Sequence, residues 1–491
     1  MTNRRMVVVA ILVTNFLAAM EATVVSTAMP TVISALGGIE RFSWVFSAYI
    51  LTSTVVLPVW GKLADVYGRR RFLQLALGLF LLGSALAGAA RDLDQLILAR
   101  AIQGLGAGGL LPLGMTILGD LYSPTQRARM QARFSSVWAV ASVMGPLLGG
   151  YLTDHLSWRW VFLVNLPIGA VAAALIHLYL REQAPAGAKH IDVAGAVTLA
   201  ASTSLLLLGL NEAGTSGLAS PAAWALLVAA VATFTLFVAC ERRAVDPIVP
   251  PELVRAREIR WPLICATLAG MSLFGAISFI PMYLQGSTGS TATQAGFALT
   301  PLLLCWVLAS ILTGRLVSFV PVRTLALIGF GLVLTGFVVL MGFGTETHRG
   351  WLYADMAVLG GGMGLAMLCL LLVIQTVAPP RNLGVATSLM VFCRSLGGAV
   401  GVAILGAVLT AELQRRLATL GLGSEVVNDL LGLEQGSVAP QLAPEVRHAF
   451  EASLGSSFAA AGAIALLTVV AATRLPRHNL SELEQRHGPG S

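Results

Sequence analysis

Gly61-Lys62-Leu63-Ala64-Asp65-Val66-Tyr67-Gly68-Arg69-Arg70-Arg71 is a polar stretch wedged between two apolar blocks. Outward from it in both directions the same alternation continues along the 491-residue chain, long hydrophobic runs parted by short arginine-bearing segments. The runs are about 20 residues long, the length that crosses a hydrocarbon core of roughly 30 Å. The chain is 56% hydrophobic and 11% charged, against about 25% charged in a soluble domain. Unpaired backbone groups are too costly in lipid, so such runs are helices or barrel strands. They are continuous rather than alternating every second residue, which selects helices. The predicted fold class is an all-α membrane protein.

Fourteen spans are expected, beginning near Met6, Trp44, Arg71, Asp94, Ser135, Val161, Asp192, Ala222, Pro262, Ala295, Val322, Trp351, Leu383 and Ser456. Arg4-Arg5 followed by Met6 to Ala19 resembles a signal peptide. The apolar stretch runs on past Glu21 to Met29, too long for a signal core, and reads as an uncleaved first span. An even count puts both termini on one side. Of the 31 basic residues, 22 then fall on the N-terminal side, 7 on the other, and Arg100 and Arg394 inside spans. Basic residues collect on the cytoplasmic side, so both termini are expected in the cytoplasm of a multi-pass bacterial inner-membrane protein.

The formal charge of +7 does not point to nucleic acid, because the positive residues lie between hydrophobic blocks rather than on one soluble face. Cys240, Cys265, Cys305, Cys369 and Cys393 sit in or beside apolar segments with no metal-type spacing. No P-loop, HExxH, GxSxG or cysteine–histidine cluster occurs, so neither an enzyme nor a metal or organic cofactor is expected. A monomer among membrane lipids is expected.

An internal repeat appears at an offset of about 253 residues: Gly61-Lys62-Leu63 aligns with Gly314-Arg315-Leu316, and Ser142-Val143-Met144-Gly145 with Ser395-Leu396-Gly397-Gly398. The organisation expected is an N-terminal six-helix bundle (1–181), two extra helices (182–241), a cytoplasmic connector (242–260), a C-terminal six-helix bundle (261–475) and a cytoplasmic tail (476–491). The connector is expected to include a helix lying along the headgroups, and the C-terminal bundle an outer loop at 412–455. Parallel halves suit a transporter whose site lies between them and opens to alternate sides.

The quoted stretch closely matches the loop signature GxLaDrxGrr. Gly61 allows close helix approach, Gly68 a tight turn, and Asp65 can meet a nearby arginine or a helix N-terminus. Arginines that merely enforced topology would need neither Asp65 nor the glycines. Leu96-Ile97-Leu98-Ala99-Arg100-Ala101-Ile102-Gln103-Gly104 carries an RxxQG element, and Gly145-Pro146-Leu147-Leu148-Gly149-Gly150 a glycine-rich seam with a helix-kinking proline. In span one, Met20-Glu21-Ala22-Thr23 runs to Ala28-Met29-Pro30. With these motifs the sequence resembles the major facilitator superfamily, specifically its fourteen-helix drug:proton antiporter branch (EmrB/QacA-like), over nearly the whole chain. That branch usually has aspartate where Glu21 stands. The resemblance implies two six-helix bundles plus two extra central helices. It further implies a cytoplasmic latch at Gly61, Asp65, Gly68, Arg69 and Arg70, and an antiporter motif at Gly145, Pro146, Gly149 and Gly150.

Glu21 lies about 15 residues into span one, roughly 22 Å from its cytoplasmic edge, and Arg100 about six residues into span four, roughly 9 Å from the outer edge. In a core of roughly 30 Å they share a depth. Glu21 is the expected proton-coupling carboxylate and Arg100 its modulator, since desolvation favours the neutral acid and a nearby guanidinium the carboxylate. A static ion pair is the alternative. Tyr49, Trp138, Asp355 and Arg394 join Glu21 and Arg100 as candidate cavity residues, with Arg394 offered to anionic groups or to Asp355 and Asp355 alternatively a helix cap. His177 is expected to pack or face lipid. The expected function is proton-coupled efflux of small amphipathic or cationic compounds. Export of a lipid, siderophore or antibiotic fits the same motifs, and uptake is disfavoured by Gly145-Pro146.

Overall fold

The computed structural model describes residues 3–36, 41, 43–181, 191–216, 220–288, 297–344, 347–422 and 444–487. Its first half comprises α1 (Arg4–Leu36), α2 (Ser43–Val55), α3 (Leu57–Tyr67), α4 (Arg69–Ala89), α5 (Leu93–Leu121), α6 (Pro124–His155), α7 (Trp160–Leu163) and α8 (Asn165–Tyr179). Next come α9 (Val193–Ser216), α10 (Pro221–Arg243) and the single turn α11 (Pro251–Arg255). The remainder is α12 (Arg257–Thr288), α13 (Thr300–Leu316), α14 (Val322–Leu340), α15 (Arg349–Val377), α16 (Leu383–Thr419), α17 (Pro444–Ala472) and α18 (Leu480–His487).

By length and composition, 11 helices among the described residues could cross a membrane, or 12 with the pair α2 and α3, which meet at a 42° bend. Pro58 in the first turn of α3 accounts for the break, since it withholds a donor from the preceding helix. Two expected spans, α6 and α13, are not among these. α13 has only 17 residues; its expected start at Ala295, like Lys189, lies outside the described residues.

Burial organises the helices into two bodies. Leu17, Leu73, Phe80, Leu113 and Phe134 form one core among α1, α4, α5 and α6, continued by Met20, Val24, Leu96 and Phe162. Leu302, Phe330, Met363, Leu405 and Phe458 form the other, from α12 to α17. α9 and α10 pack on each other, and Val228, Val231, Phe234 and Leu236 of α10 stay exposed. A helix apolar on its outer face is what lipid contact requires.

The repeated glycines play matching structural parts. A side chain at Gly145 or Gly149 would strike Thr23 or Thr27, so α6 lies close on α1. Gly397 and Gly401 bring α16 equally close to α12 at Thr267 and Met271. Small residues give such seams their closeness where no hydrophobic drive between helices exists.

Three segments differ from expectation in detail. The segment 412–455 is helical at both ends, because Glu412 pairs with Arg415 and Arg416 at 2.7 Å while Leu413, Leu417 and Phe450 are buried; its centre, 423–443, lies outside the described residues. The connector holds only the turn α11 before α12 begins at Arg257, since Pro247, Pro250 and Pro251 interrupt it. The tail, by contrast, folds back as α18, with Leu480 and Leu483 fully buried against Val317, Val322 and Leu372.

Candidate functional site

Glu21 sits in the middle of α1, 0% exposed, between α5 and α8. Its Oε1 accepts an ion-paired hydrogen bond from Arg100 Nη1, and its Oε2 accepts one from Asn165 Nδ2 at 2.7 Å. Arg100, 2% exposed, also donates to Gln103 Oε1 at 2.6 Å and, through Nε, to the Val45 carbonyl at 3.1 Å. Gln103 and Asn165 both donate to Ser84 Oγ, at 2.8 and 3.2 Å. The Tyr49 ring lies 4.2 Å beneath the guanidinium, a cation–π contact strengthened by desolvation. Gly104 makes that approach possible, because a side chain there would meet the Tyr49 carbonyl at 2.5 Å. One acid and one base thus tie together α1, α2, α4, α5 and α8. Paired and hydrogen-bonded, the charges avoid the penalty of bare burial, and loss of either partner would strand the other.

The structure therefore brings together Glu21, Arg100 and Tyr49. It does not gather the other candidate cavity residues around them. Trp138 is 38% exposed on α6. Asp355 is 4% exposed and packs toward Gly336 of α14; it does not cap α15, a task taken by His348, which accepts from the Gly350 N–H at 3.1 Å. Arg394 lies where α16 meets α12, its carbonyl against Gly270, and no ion pair joins it to Asp355 among the described residues. His177 receives Arg70, whose Nη2 donates to the His177 carbonyl at 2.6 Å.

A second arrangement spans the two halves at the end carrying Arg69–Arg71. Asp65 accepts from the backbone N–H of Gly384 at 3.0 Å and of Val385 at 2.8 Å. These are open donors in the first turn of α16, whose own N-cap residue, Asn382, makes no capping bond. A carboxylate from one half thus caps a helix of the other, with the helix dipole in its favour. Arg69 pairs with Asp65 at 3.0 Å and with Asp120, and donates to the Pro380 carbonyl at 3.2 Å. Gly61 admits α16, since a side chain there would meet the Gly384 carbonyl at 2.6 Å. Gly68 turns the chain at φ 106°, a region that favours glycine. Beside this cap, Arg127 donates to the Gln375 carbonyl at 2.8 Å, and Gln375 to the Met115 carbonyl at 3.2 Å. These hydrogen bonds join the two halves at this end and close it.

In the glycine seam, Gly145 and Gly149 face α1, whereas nothing lies within 4 Å of a side chain built at Gly150; the side chain of Pro146 is outside the described set. Sequence reasoning gave no role to Ser84, Asn165, Gln375 or Gln131, whose Nε2 donates to the Met115 carbonyl at 3.2 Å and to Gln375 Oε1 at 3.4 Å. The signal was present: each is a hydrogen-bonding side chain inside or beside an apolar run, where an unmatched polar group is costly.

Two helical bodies related by an internal repeat, joined at one end and bearing a buried charge network in one of them, define a multi-pass membrane transporter. A model of the Major Facilitator Superfamily matches residues 11–402, and the chain belongs to that superfamily. It is 35% identical over 417 residues to multidrug transporter protein MdtP of Bacillus subtilis (strain 168), covering 84% of this chain and 76% of that one. It is 36% identical over 416 residues to multidrug resistance protein 3 of the same organism, covering 84% and 81%. The human organic anion transporter MFSD10 shares the fold at a TM-score of 0.69 with 16% identity, covering 96% of this chain and 100% of that one.

Proposed function

We propose that this chain exports small amphipathic or cationic compounds, drugs among them, from the cytoplasm in exchange for protons, and that it belongs to the fourteen-helix drug:proton branch of its superfamily. The observation that carries this reading is Glu21, a carboxylate sealed inside the first helix and held by Arg100 and Asn165. The names of the two Bacillus relatives, a multidrug transporter and a multidrug resistance protein, support the cargo class.

The mechanism follows from the geometry. With the arginine-rich end closed by Asp65 and Arg69, Glu21 is the ionised partner of Arg100. Proton entry from the opposite side neutralises Glu21 and frees Arg100 to Gln103 and the Val45 carbonyl. That change loosens α1 from α5 and α8. It favours the state in which Asp65 leaves the α16 N-terminus and the cytoplasmic side opens. Cationic cargo then takes the place of the proton's charge, and the cycle returns. The excess of arginines on one side supports a cytoplasmic location for both termini.

The test is dye transport in proteoliposomes with an imposed pH gradient. Dye collecting on the acidic side, with the accumulation collapsed by a protonophore, is the expected result. Transport indifferent to the gradient would defeat proton coupling.

A further inference from the structure

We propose that the arginine-rich end carries a separate binding site for a phosphate-bearing anion, the shared chemistry of an anionic lipid headgroup and a soluble phosphate compound. A cavity of about 600 Å³ opens beside the starts of α12 and α14, the end of α17 and α18. Arg257, Arg323, Arg474, Arg477 and Arg486 line it, against a single acidic residue, Glu258, among its described walls. No carboxylate stands within ion-pair distance of Arg257, Arg323, Arg474 or Arg477 among the described residues.

These like charges are held together by the fold rather than by one another. The tail that supplies Arg477 and Arg486 is pinned on both sides of its turn. The Val322 N–H donates to the His478 carbonyl at 3.1 Å, and the Leu480 N–H to the Val317 carbonyl at 3.0 Å. Leu480 and Leu483 anchor it in an apolar socket. Their burial offsets the repulsion of bringing the tail arginines beside Arg257 and Arg323, and a bound anion would remove that repulsion altogether.

Guanidinium forks match phosphate oxygens two at a time, and the volume accommodates more than a bare ion. Arg260 and Arg474 both approach Trp261, their guanidiniums 5.8 and 5.9 Å from the centre of its ring. Tryptophan is characteristic of the headgroup layer, and basic pockets between helices on the cytoplasmic side suit phosphate headgroups. None of these residues belongs to the Glu21 network or to the Asp65 cap.

The full chain purified in detergent tests the site by native mass spectrometry with phosphatidylglycerol, phosphatidylcholine and inorganic phosphate as probes. Phosphatidylglycerol should be retained in preference to phosphatidylcholine. The double variant Arg474→Gln/Arg477→Gln should lose that retention by on the order of tenfold or more. Glu258→Gln, which removes the acidic wall, should strengthen it, a gain that misfolding would not produce. Displacement of the lipid by inorganic phosphate would support a soluble phosphate compound as occupant. Retention that phosphate does not disturb would support a lipid headgroup. Equal retention of the two lipids with no phosphate binding, or phosphatidylglycerol retention unchanged in the double variant, would overturn the proposal.

Discussion

Both oxygens of Glu21 are engaged, one by Arg100 and one by Asn165, and Glu21 is the one carboxylate paired with Arg100 among the described residues. Arg100→Gln should therefore cost about 3–5 kcal/mol by leaving a buried charge unmatched, read as a fall in the melting temperature in detergent. The double variant Glu21→Gln/Arg100→Gln should recover much of that loss, because neither charge remains to be stranded. Recovery would mark the pair as coupled; additive losses would argue against it. At Gly68 the backbone alone is at issue. With φ at 106°, Gly68→Ala should cost about 1–3 kcal/mol, while Gly150→Ala, which meets nothing within 4 Å, should be close to neutral. Equal melting temperatures for these two would contradict the glycine reading.

At the scale of elements, the joint between α3 and α16 is the part most open to manipulation. Asp65→Asn keeps the shape but weakens the charge-assisted bonds to Gly384 and Val385, bonds worth about 1.5–3 kcal/mol to a charged group. On the proposed mechanism this raises the population open at the arginine-rich end by about tenfold or more, measurable as a lengthened distance between spin labels across that end. An unchanged distance distribution would show that the cap does not hold the halves. Gly145→Val should force α6 off α1 at Thr23 and lower transport more than it lowers expression. Much of this was legible in the sequence. Arginine between apolar blocks, an aspartate with flanking glycines and small residues in series each have one economical physical reading. The partner of Asp65 was less so, because a backbone N–H at the start of α16 leaves no mark on the side chains, and Gly384 reads as one glycine among 51. Likewise α18, short and polar in composition, gave no hint that Leu480 and Leu483 would bury it.

Across the whole molecule, the two halves repeat their glycine seams but not their charges. Glu21 and Arg100 lie paired in the first, whereas Asp355 and Arg394 lie apart in the second, with no ion pair between them among the described residues. That asymmetry was hidden from the sequence, since depth along a helix predicts the level of a side chain but not the direction it faces. On the proposed mechanism proton exchange runs through Glu21, in the N-terminal half. Proton release on substrate binding tests this most directly, followed with a pH indicator in weakly buffered detergent solution. The wild-type chain should release protons as a cationic dye binds, and Glu21→Gln should bind dye with no release. Undiminished release from Glu21→Gln would contradict the assignment and move the proton to another acid.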